Sequence, residues 1–160
     1  MSDEILRLIP KNPYFIPSSE RLSNVKKVLA SFCHWADNVR VSLEQNVVFV
    51  DQGENFERIL CPACHSELDI DWWQEEMGNA AESNFIDLRV TLPCCKVDTS
   101  LNELIYEWPA GFAQFIIEAT NPTMEIDRSK LELLETTLGT KFRTLDMRWH
   151  YGVTKTFLEP

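Results

Sequence analysis

The sequence predicts an α+β fold, and two observations on periodicity lead to this prediction. Apolar residues alternate with polar residues in several segments near both ends of the chain, as in half-buried strands. Between these segments the apolar residues recur at helical spacing, as on one face of an amphipathic helix. A chain of 160 residues is long enough to bury most of its apolar surface in one domain. We therefore expect a single domain over residues 1–160.

The N-terminal part of the chain is predicted to form strand, helix and strand. The segment "ILRLIPKNPYFIP" is apolar but contains three prolines, so we expect only a short edge strand. "SSERLSNVKKVLASF" places its apolar residues on one helical face, and Ser18 or Ser19 can cap that helix. "VRVSL" and "NVVFV" alternate as two strands do, with a turn expected at residues 44–46.

The C-terminal part repeats this order. "GFAQFIIEA" is predicted as a strand, and "SKLELLETTLG" as a helix with Ser129 and Glu132 in capping-box spacing and Gly139 at its end. "KFRTLDMRWHY" alternates as a final strand. Two such units commonly form one antiparallel sheet with two helices, the split βαβ arrangement of ferredoxin-like domains. We predict this sheet, interrupted by an insert at about residues 57–108.

The insert itself contains a predicted helix, strands and the clustered cysteines. "DWWQEEMGNAA" has helical spacing, with Asp71 as the expected cap, and "FIDLRVTLP" alternates as a strand that leads into the second cysteine pair. "LNELIYEW" is expected to return antiparallel to that strand. No internal repeat is evident in the sequence.

The compartment decides how the cysteines are interpreted. The N-terminus is acidic and lacks the layout of a secretory signal, and no stretch has the length of apolar residues that a membrane helix needs. We therefore predict a cytoplasmic protein that does not enter the membrane. Reducing conditions there disfavour structural disulfides, so clustered thiols indicate metal or redox chemistry.

The cysteine pattern predicts one structural zinc ion, with Cys61, Cys64, Cys94 and Cys95 as its ligands. Cys61 and Cys64 have the two-residue spacing of a zinc knuckle, and zinc prefers four such ligands in a tetrahedron. Adjacent cysteines point to opposite faces of a strand, so Cys94 and Cys95 can bind one ion only if the chain turns sharply there. The pattern resembles a zinc ribbon whose second half departs from the usual spacing. His65, Cys33 or His34 therefore stays open as a replacement for one of the adjacent pair.

The charge distribution bears on partners. The net charge of -10 opposes nucleic-acid binding, which depends on Lys and Arg against phosphates. From Ser66 to Asp87 there are seven acidic residues and no basic one. This stretch is either a solvated face or a binding surface for a basic protein partner. The candidate partner-binding residues are Trp72, Glu67, Asp69, Asp71, Glu75 and Glu76.

Three classes of function follow from these features. A non-enzymatic, zinc-binding interaction protein comes first, and one form of it is an inhibitor or immunity protein against a basic partner. A zinc-dependent or thiol enzyme is the alternative, motivated by the metal and by Cys33 next to His34. A nucleic-acid-binding zinc ribbon is third because of the charge. The sequence contains no phosphate-binding loop, dinucleotide-binding glycine pattern or serine nucleophile elbow.

Several segments together resemble an uncharacterised family of small bacterial proteins. They are "NPYFIP", "FVDQGENFERILCPACHSELDIDWW", "TLPCCKVDTSLNEL", "EWPAGFAQFIIEATNP" and the late "WHY". This resemblance implies a single cytosolic domain with an embedded zinc ribbon and the same four cysteines as metal positions. It implies no activity and therefore no catalytic residue.

Overall fold

The computed structural model describes residues 4–32, 34–51, 58–123 and 126–146. Within these residues the fold is α+β, as predicted, with three α-helices and eight strands. The helices are α1 (Ser19–Ala30), α2 (Ile70–Ala81) and α3 (Arg128–Leu138). The strands are β1 (Ile5–Pro10), β2 (Asn38–Val50), β3 (Ile59–Leu60), β4 (Arg89–Thr91), β5 (Asp98–Ser100), β6 (Ile105–Tyr106), β7 (Gly111–Thr120) and β8 (Phe142–Asp146).

The chain divides into two compact units. Met1–Leu43 and Ala113–Pro160 form the first, here called the sheet unit, and Glu44–Phe112 forms the second, here called the cysteine unit. The boundaries fall inside β2 and inside β7. None of the described helices is long and apolar enough to cross a membrane.

A four-stranded antiparallel sheet has the order β2-β7-β1-β8. Leu8 of β1 pairs with Ile117 of β7 on one side and with Thr144 of β8 on the other. The expectation that β1 is an edge strand was therefore wrong. Its first proline, Pro10, occupies the last position of the strand, so no backbone donor is missing from the interior of the ladder.

The core of the sheet unit lies between the sheet and helices α1 and α3. Leu8 and Phe115 from the sheet are fully buried, as are Val25 of α1 and Leu134 of α3. Each such side chain contributes roughly 1.5–3 kcal/mol relative to its exposed state. These apolar positions are those that the alternating and helical patterns predicted.

The helix ends agree only in part with the predicted caps. Ser18 caps α1, as expected, and accepts a hydrogen bond from the Arg21 backbone N–H. Asp69 and not Asp71 caps α2, while Asp127 and not Ser129 caps α3. In both cases the capping aspartate has extended backbone dihedrals and lies two residues before the expected cap. Gly139 ends α3 with a left-handed φ of 75°, as predicted.

Strand β2 is continuous over 13 residues, so the turn expected at residues 44–46 is absent. The three residues are Glu, Gln and Asn, without the Gly or Pro that a tight turn usually needs. Gln45 and Asn46 are exposed on the strand. The turn was predicted from the polarity of residues 44–46. Their polarity is explained equally well by a strand that is at least partly exposed to solvent at these positions.

The cysteine unit is built from short strand pairs around helix α2. Ile59 of β3 pairs with Tyr106 of β6, and Val90 of β4 pairs with Thr99 of β5. The prediction that "LNELIYEW" pairs with the strand before Cys94 was therefore wrong. The chain turns back directly after the second cysteine pair, so the nearer segment β5 becomes the partner of β4.

An aromatic and aliphatic cluster fills the cysteine unit. Phe49 stands with its ring centre 5.7 Å from Trp73 and 5.6 Å from Tyr106, and Phe112 is 5.0 Å away. The Trp73 indole N–H donates to the Tyr106 hydroxyl, which donates to the Leu101 carbonyl. These bonds satisfy the polar atoms that the aromatic rings carry into the core.

The side chain of Asn102 should be important for the stability of the cysteine unit. It is buried, and its Oδ1 atom accepts a hydrogen bond of 2.9 Å from the Phe112 N–H. Asn102→Ala leaves this buried donor without its partner, which should lower the free energy of unfolding by about 1–3 kcal/mol. Urea unfolding followed by tryptophan fluorescence measures the change. The control is Asn79→Ala on the exposed side of α2, expected within about 0.5 kcal/mol of wild type. Equal stability of the two variants would contradict the role of Asn102.

Candidate metal centre

The first cysteine pair lies in a tight turn that directly follows β3. The Cys61 N–H donates to the Ser66 carbonyl, and the His65 N–H donates to the Cys61 carbonyl, both at 2.9 Å. His65 adopts a left-handed φ of 64°. This backbone brings the side chains of Cys61 and Cys64 to the same side of the turn.

The second cysteine pair lies in a turn with the same hydrogen bonds. The Leu92 N–H donates to the Val97 carbonyl at 2.9 Å, and the Lys96 N–H donates to the Leu92 carbonyl at 3.0 Å. Lys96 has a φ of 63°, which matches the value at His65 in the first turn. The sharp turn that adjacent cysteine ligands require is therefore present.

The two turns correspond residue by residue at an offset of 31. Leu60 pairs with Glu67 below the first turn, and Thr91 pairs with Asp98 below the second. Cys95 therefore occupies the position of Cys64, whereas the position of Cys61 is occupied by Leu92. Cys94 takes the place of Ala63, so the fourth sulfur comes from a different position of the turn.

Sequence analysis missed this repeat. "CPAC" and "LPCC" share only the proline and the last cysteine, too little to be recognised without the backbone. Alignment on the proline instead of on the cysteines would have revealed the correspondence.

All four sulfurs lie within 4.8 Å of one another. The Cys61 and Cys95 sulfurs are 3.7 Å apart, and those of Cys64 and Cys94 are 3.4 Å apart. Four sulfurs at about 2.3 Å from one zinc ion in a tetrahedron would be about 3.8 Å apart. The cluster therefore has dimensions that suit a zinc ion, and its four cysteines are those that the sequence singled out.

The four thiols differ in how the protein holds them. Cys61 is fully buried, and its sulfur accepts backbone N–H groups of Ala63 and Cys64 at 3.3 Å. Cys64 is exposed, and its sulfur lies 3.2 Å from the Ser66 hydroxyl. Cys95 is half-buried and packs against the apolar cluster of the unit. Cys94 is exposed, and its sulfur contacts the sulfurs of the other cysteines, with that of Cys64 at 3.4 Å.

The thiol pKa values diverge for the same reasons. Burial opposes ionisation of Cys61, but the N–H groups of Cys64 and Ala63 outweigh it and lower the pKa of this thiol. Hydrogen bonds from the side chain and backbone of Ser66 lower the pKa of Cys64 to about 6. Removal of its sulfur from water and its contact with Cys64 raise the pKa of Cys94 to about 12. The residue is exposed, but its sulfur faces the other three, where a further negative charge is unfavourable without a cation.

Two of the three alternative ligands, His65 and His34, are not part of the cluster. Within the described part of the chain, the His, Cys, Asp and Glu groups close enough to hold an ion are the four cysteines. His65 is exposed at the end of the first turn, and His34 belongs to the sheet unit. Cys33 lies outside the described residues, and with it the arrangement of the Cys33-His34 pair.

The predicted partner-binding residues are located on and before helix α2. Glu67 forms an ion pair of 3.6 Å with Arg58, and Asp69 caps the helix. Trp72 is half-buried and packs against the apolar cluster, so it is less available than an exposed aromatic anchor would be. The other acidic residues of the set lie within the helix and are Asp71, Glu75 and Glu76.

The negative net charge of the chain arises from the cysteine unit. Between Glu44 and Phe112 there are 14 acidic and 3 basic residues, a net charge of -11. The sheet unit has 11 acidic and 12 basic residues, a net charge of +1. Charged residues spread evenly along the chain would not give this difference in net charge between the two units.

Comparison with known proteins gives no assignment. No family model, no curated protein and no solved structure matches this chain. The resemblance to small bacterial zinc-ribbon proteins therefore stays a prediction. What the structure adds is a cluster of four cysteines that could hold a metal ion.

Proposed function

We propose that this chain binds one zinc ion through Cys61, Cys64, Cys94 and Cys95, and that the ion has a structural role. The single observation that carries the proposal is the group of four sulfurs within 4.8 Å, at separations close to those of a zinc tetrahedron. A site with four protein ligands leaves no position for a substrate water, which favours a structural role over a catalytic one. The thiols would stay available for zinc in a reducing cytoplasm.

The architecture of the cysteine unit supports the structural role. Its strands are only two to three residues long, apart from the ends of β2 and β7. Such short pairs supply few hydrogen bonds, and isolated two-stranded pairs are marginally stable in water. An ion that joins the two turns would stabilise the fold directly, because zinc binding then contributes to the free energy of folding.

We also infer a split βαβ topology for the sheet unit. The strand order β2-β7-β1-β8 supports it, since the first and last strands of the described residues, β1 and β8, pair with each other in the sheet. Helices α1 and α3 each connect two strands of this sheet, as such a topology requires.

Replacement of Cys61 tests the zinc proposal. Wild-type protein purified without chelators should contain about one equivalent of zinc by elemental analysis. Cys61→Ser should contain almost none and should lose amide exchange protection over residues 58–112, because the ion no longer joins the turns. Residues 5–32 and 113–146 should be less affected, as they belong mainly to the sheet unit.

Cys33→Ser is the matched control, since Cys33 is the fifth cysteine and is not one of the four proposed ligands. It should keep its zinc. A wild-type protein without transition metal and with four reactive thiols would contradict the proposal.

The pH dependence of zinc affinity gives a second test. Cys94, with its pKa raised to about 12, is protonated in the metal-free protein at neutral pH, so zinc must displace its proton. Cys64, with its pKa near 6, is already ionised above neutrality. The logarithm of the zinc association constant should therefore rise by at least one for each pH unit between about 7 and 8.5. Competition with a chelator of known pH dependence measures the slope, and a slope near zero would contradict the displacement of a proton from Cys94 on zinc binding.

We further propose that the cysteine unit acts as a protein-interaction module for a basic partner. The concentration of a charge of -11 in this unit supports the proposal, because opposite charge speeds association and opposes wrong partners. An inhibitor or immunity protein against a basic toxin is one such function, and an adaptor protein is another. The same charge opposes nucleic-acid binding.

Matched charge variants test the interaction. Asp71→Asn, Glu75→Gln and Glu76→Gln together change α2, while Glu4→Gln, Glu20→Gln and Glu132→Gln remove the same charge from the sheet unit. A partner captured from cell extract should elute from the α2 variant at lower salt than from wild type. The variant attracts a basic partner with fewer charges, so less salt is needed to screen the remaining attraction. The control variant should retain the wild-type elution.

Equal elution from both variants would identify the acidic stretch as a solvated surface. Trp72→Ala extends the test to the aromatic side chain and is compared only while its circular dichroism matches wild type, since Trp72 also packs against the core. Glu67 and Asp69 are left unchanged at first because one forms an ion pair and the other caps α2.

A further inference from the structure

We propose that Cys94 is the exchangeable ligand of the metal centre and that an external thiol can take its coordination position. The inference rests on the proposed zinc site and concerns how that site is regulated. It follows from the position of Cys94 in its turn and from the contacts of the four sulfurs.

The position of Cys94 in its turn is irregular. Three of the four sulfurs occupy the first or fourth position of a turn, as in a zinc knuckle with two-residue spacing. Leu92 holds the first position of the second turn, and its side chain is fully buried in the apolar cluster. Cys94 supplies the missing sulfur from the third position, which in the first turn is the exposed residue Ala63.

Within the described part of the chain, the sulfur of Cys94 contacts the other cysteine sulfurs and no group outside the cluster. Backbone N–H groups hold the Cys61 sulfur, Ser66 holds the Cys64 sulfur, and apolar packing holds Cys95. Among the described residues, Cys94 has neither an N–H donor nor apolar packing against the cluster. Its sulfur can therefore leave the ion without the loss of another stabilising contact.

The exchange is a simple ligand substitution. With the ion held by Cys61, Cys64 and Cys95, the bond between zinc and the Cys94 sulfur would break, a bond between zinc and the external sulfur would form, and the proton of the external thiol would pass to Cys94. Nothing is oxidised or reduced, and the ion keeps four sulfur ligands. Zinc accepts this exchange readily because it has no preferred geometry from d electrons.

The affinity of single variants tests the hierarchy of ligands. Cys94→Ala should still bind one zinc ion, with affinity reduced by about a hundredfold, the share of one ligand in a four-ligand site. Cys64→Ala is the matched control, because Cys64 is equally an exposed cysteine but occupies a regular position. We expect Cys64→Ala and Cys61→Ala to lose at least a further tenfold in affinity. Equal losses in Cys94→Ala and Cys64→Ala would overturn the inference.

Rescue by a small thiol tests the exchange itself. Co²⁺ replaces zinc as a spectroscopic probe, and 2-mercaptoethanol is the external thiol. Addition of the thiol to Co²⁺-loaded Cys94→Ala should restore the absorption of the four-sulfur wild-type complex. Cys61→Ala should show no recovery, because its vacated position is fully buried. Failure of Cys94→Ala to respond would overturn the inference.

Alkylation of the zinc-loaded wild type needs no variant and therefore does not depend on the folding of one. Under limiting iodoacetamide, peptide mass spectrometry should find Cys94 modified before Cys64, with zinc still bound to the singly modified protein. Modification of Cys64 first, or loss of zinc with the first modification, would count against an exchangeable Cys94. A wild type without zinc would overturn the proposed function as well, whereas a zinc-bound protein with four equally protected thiols would overturn this inference alone.

Discussion

The contact of four cysteine sulfurs within 4.8 Å is the constraint on which the cysteine unit depends. Two turns of the same backbone conformation bring these sulfurs together, and each turn begins with a fully buried residue, Cys61 or Leu92. Removal of the Cys94 sulfur from water and the neighbouring cysteine side chains raise the pKa of this thiol, so a further thiolate is unfavourable at this place in the metal-free cluster. A divalent cation bound among the sulfurs would lower the pKa of each thiol, because its positive charge stabilises the thiolate form. The cation proposed at the centre of the four sulfurs would therefore stabilise this geometry as a thiolate cluster.

Aromatic packing, a buried hydrogen bond and short strand pairs also stabilise the cysteine unit, but only to a small extent. Phe49, Trp73, Tyr106 and Phe112 form one aromatic cluster, and the buried Asn102 ties the start of β7 to the turn after β5. Short strand pairs connect these groups to the two turns. In the sheet unit, by contrast, long strands and two amphipathic helices bury Leu8, Phe115 and their neighbours without any such centre. The proposed metal would thus stabilise the cysteine unit, whereas the described core of the sheet unit consists of apolar side chains.

The charge of the protein follows the same division. A net charge of -11 in 69 residues of the cysteine unit costs stability through repulsion, and a Zn²⁺ ion held by four thiolates would not offset it, because the four thiolate charges outweigh the two charges of the ion. Helix α2 carries acidic residues without a basic one, while the sheet unit is almost neutral. Selection for solubility would not require this concentration. It is consistent with the proposed role in recognition of a basic partner, with the metal centre as the support for the acidic surface.

The amino-acid pattern alone predicted the α+β class, the three helices, many of the apolar core positions and the four cysteines as a group. These features depend on local periodicity and on residue chemistry, both of which are visible along the chain. Only the tertiary structure decided that β1 lies inside the sheet, that β2 runs through residues 44–46, and that β5 is the partner of β4. Strand pairing depends on which segments meet in space, and a sequence pattern gives no information on the identity of the neighbour. The equivalence of the two cysteine turns was hidden for a similar reason. The backbone hydrogen bonds and the left-handed residues His65 and Lys96 define this turn. Two segments can adopt the same turn although their sequences share only a proline and one cysteine.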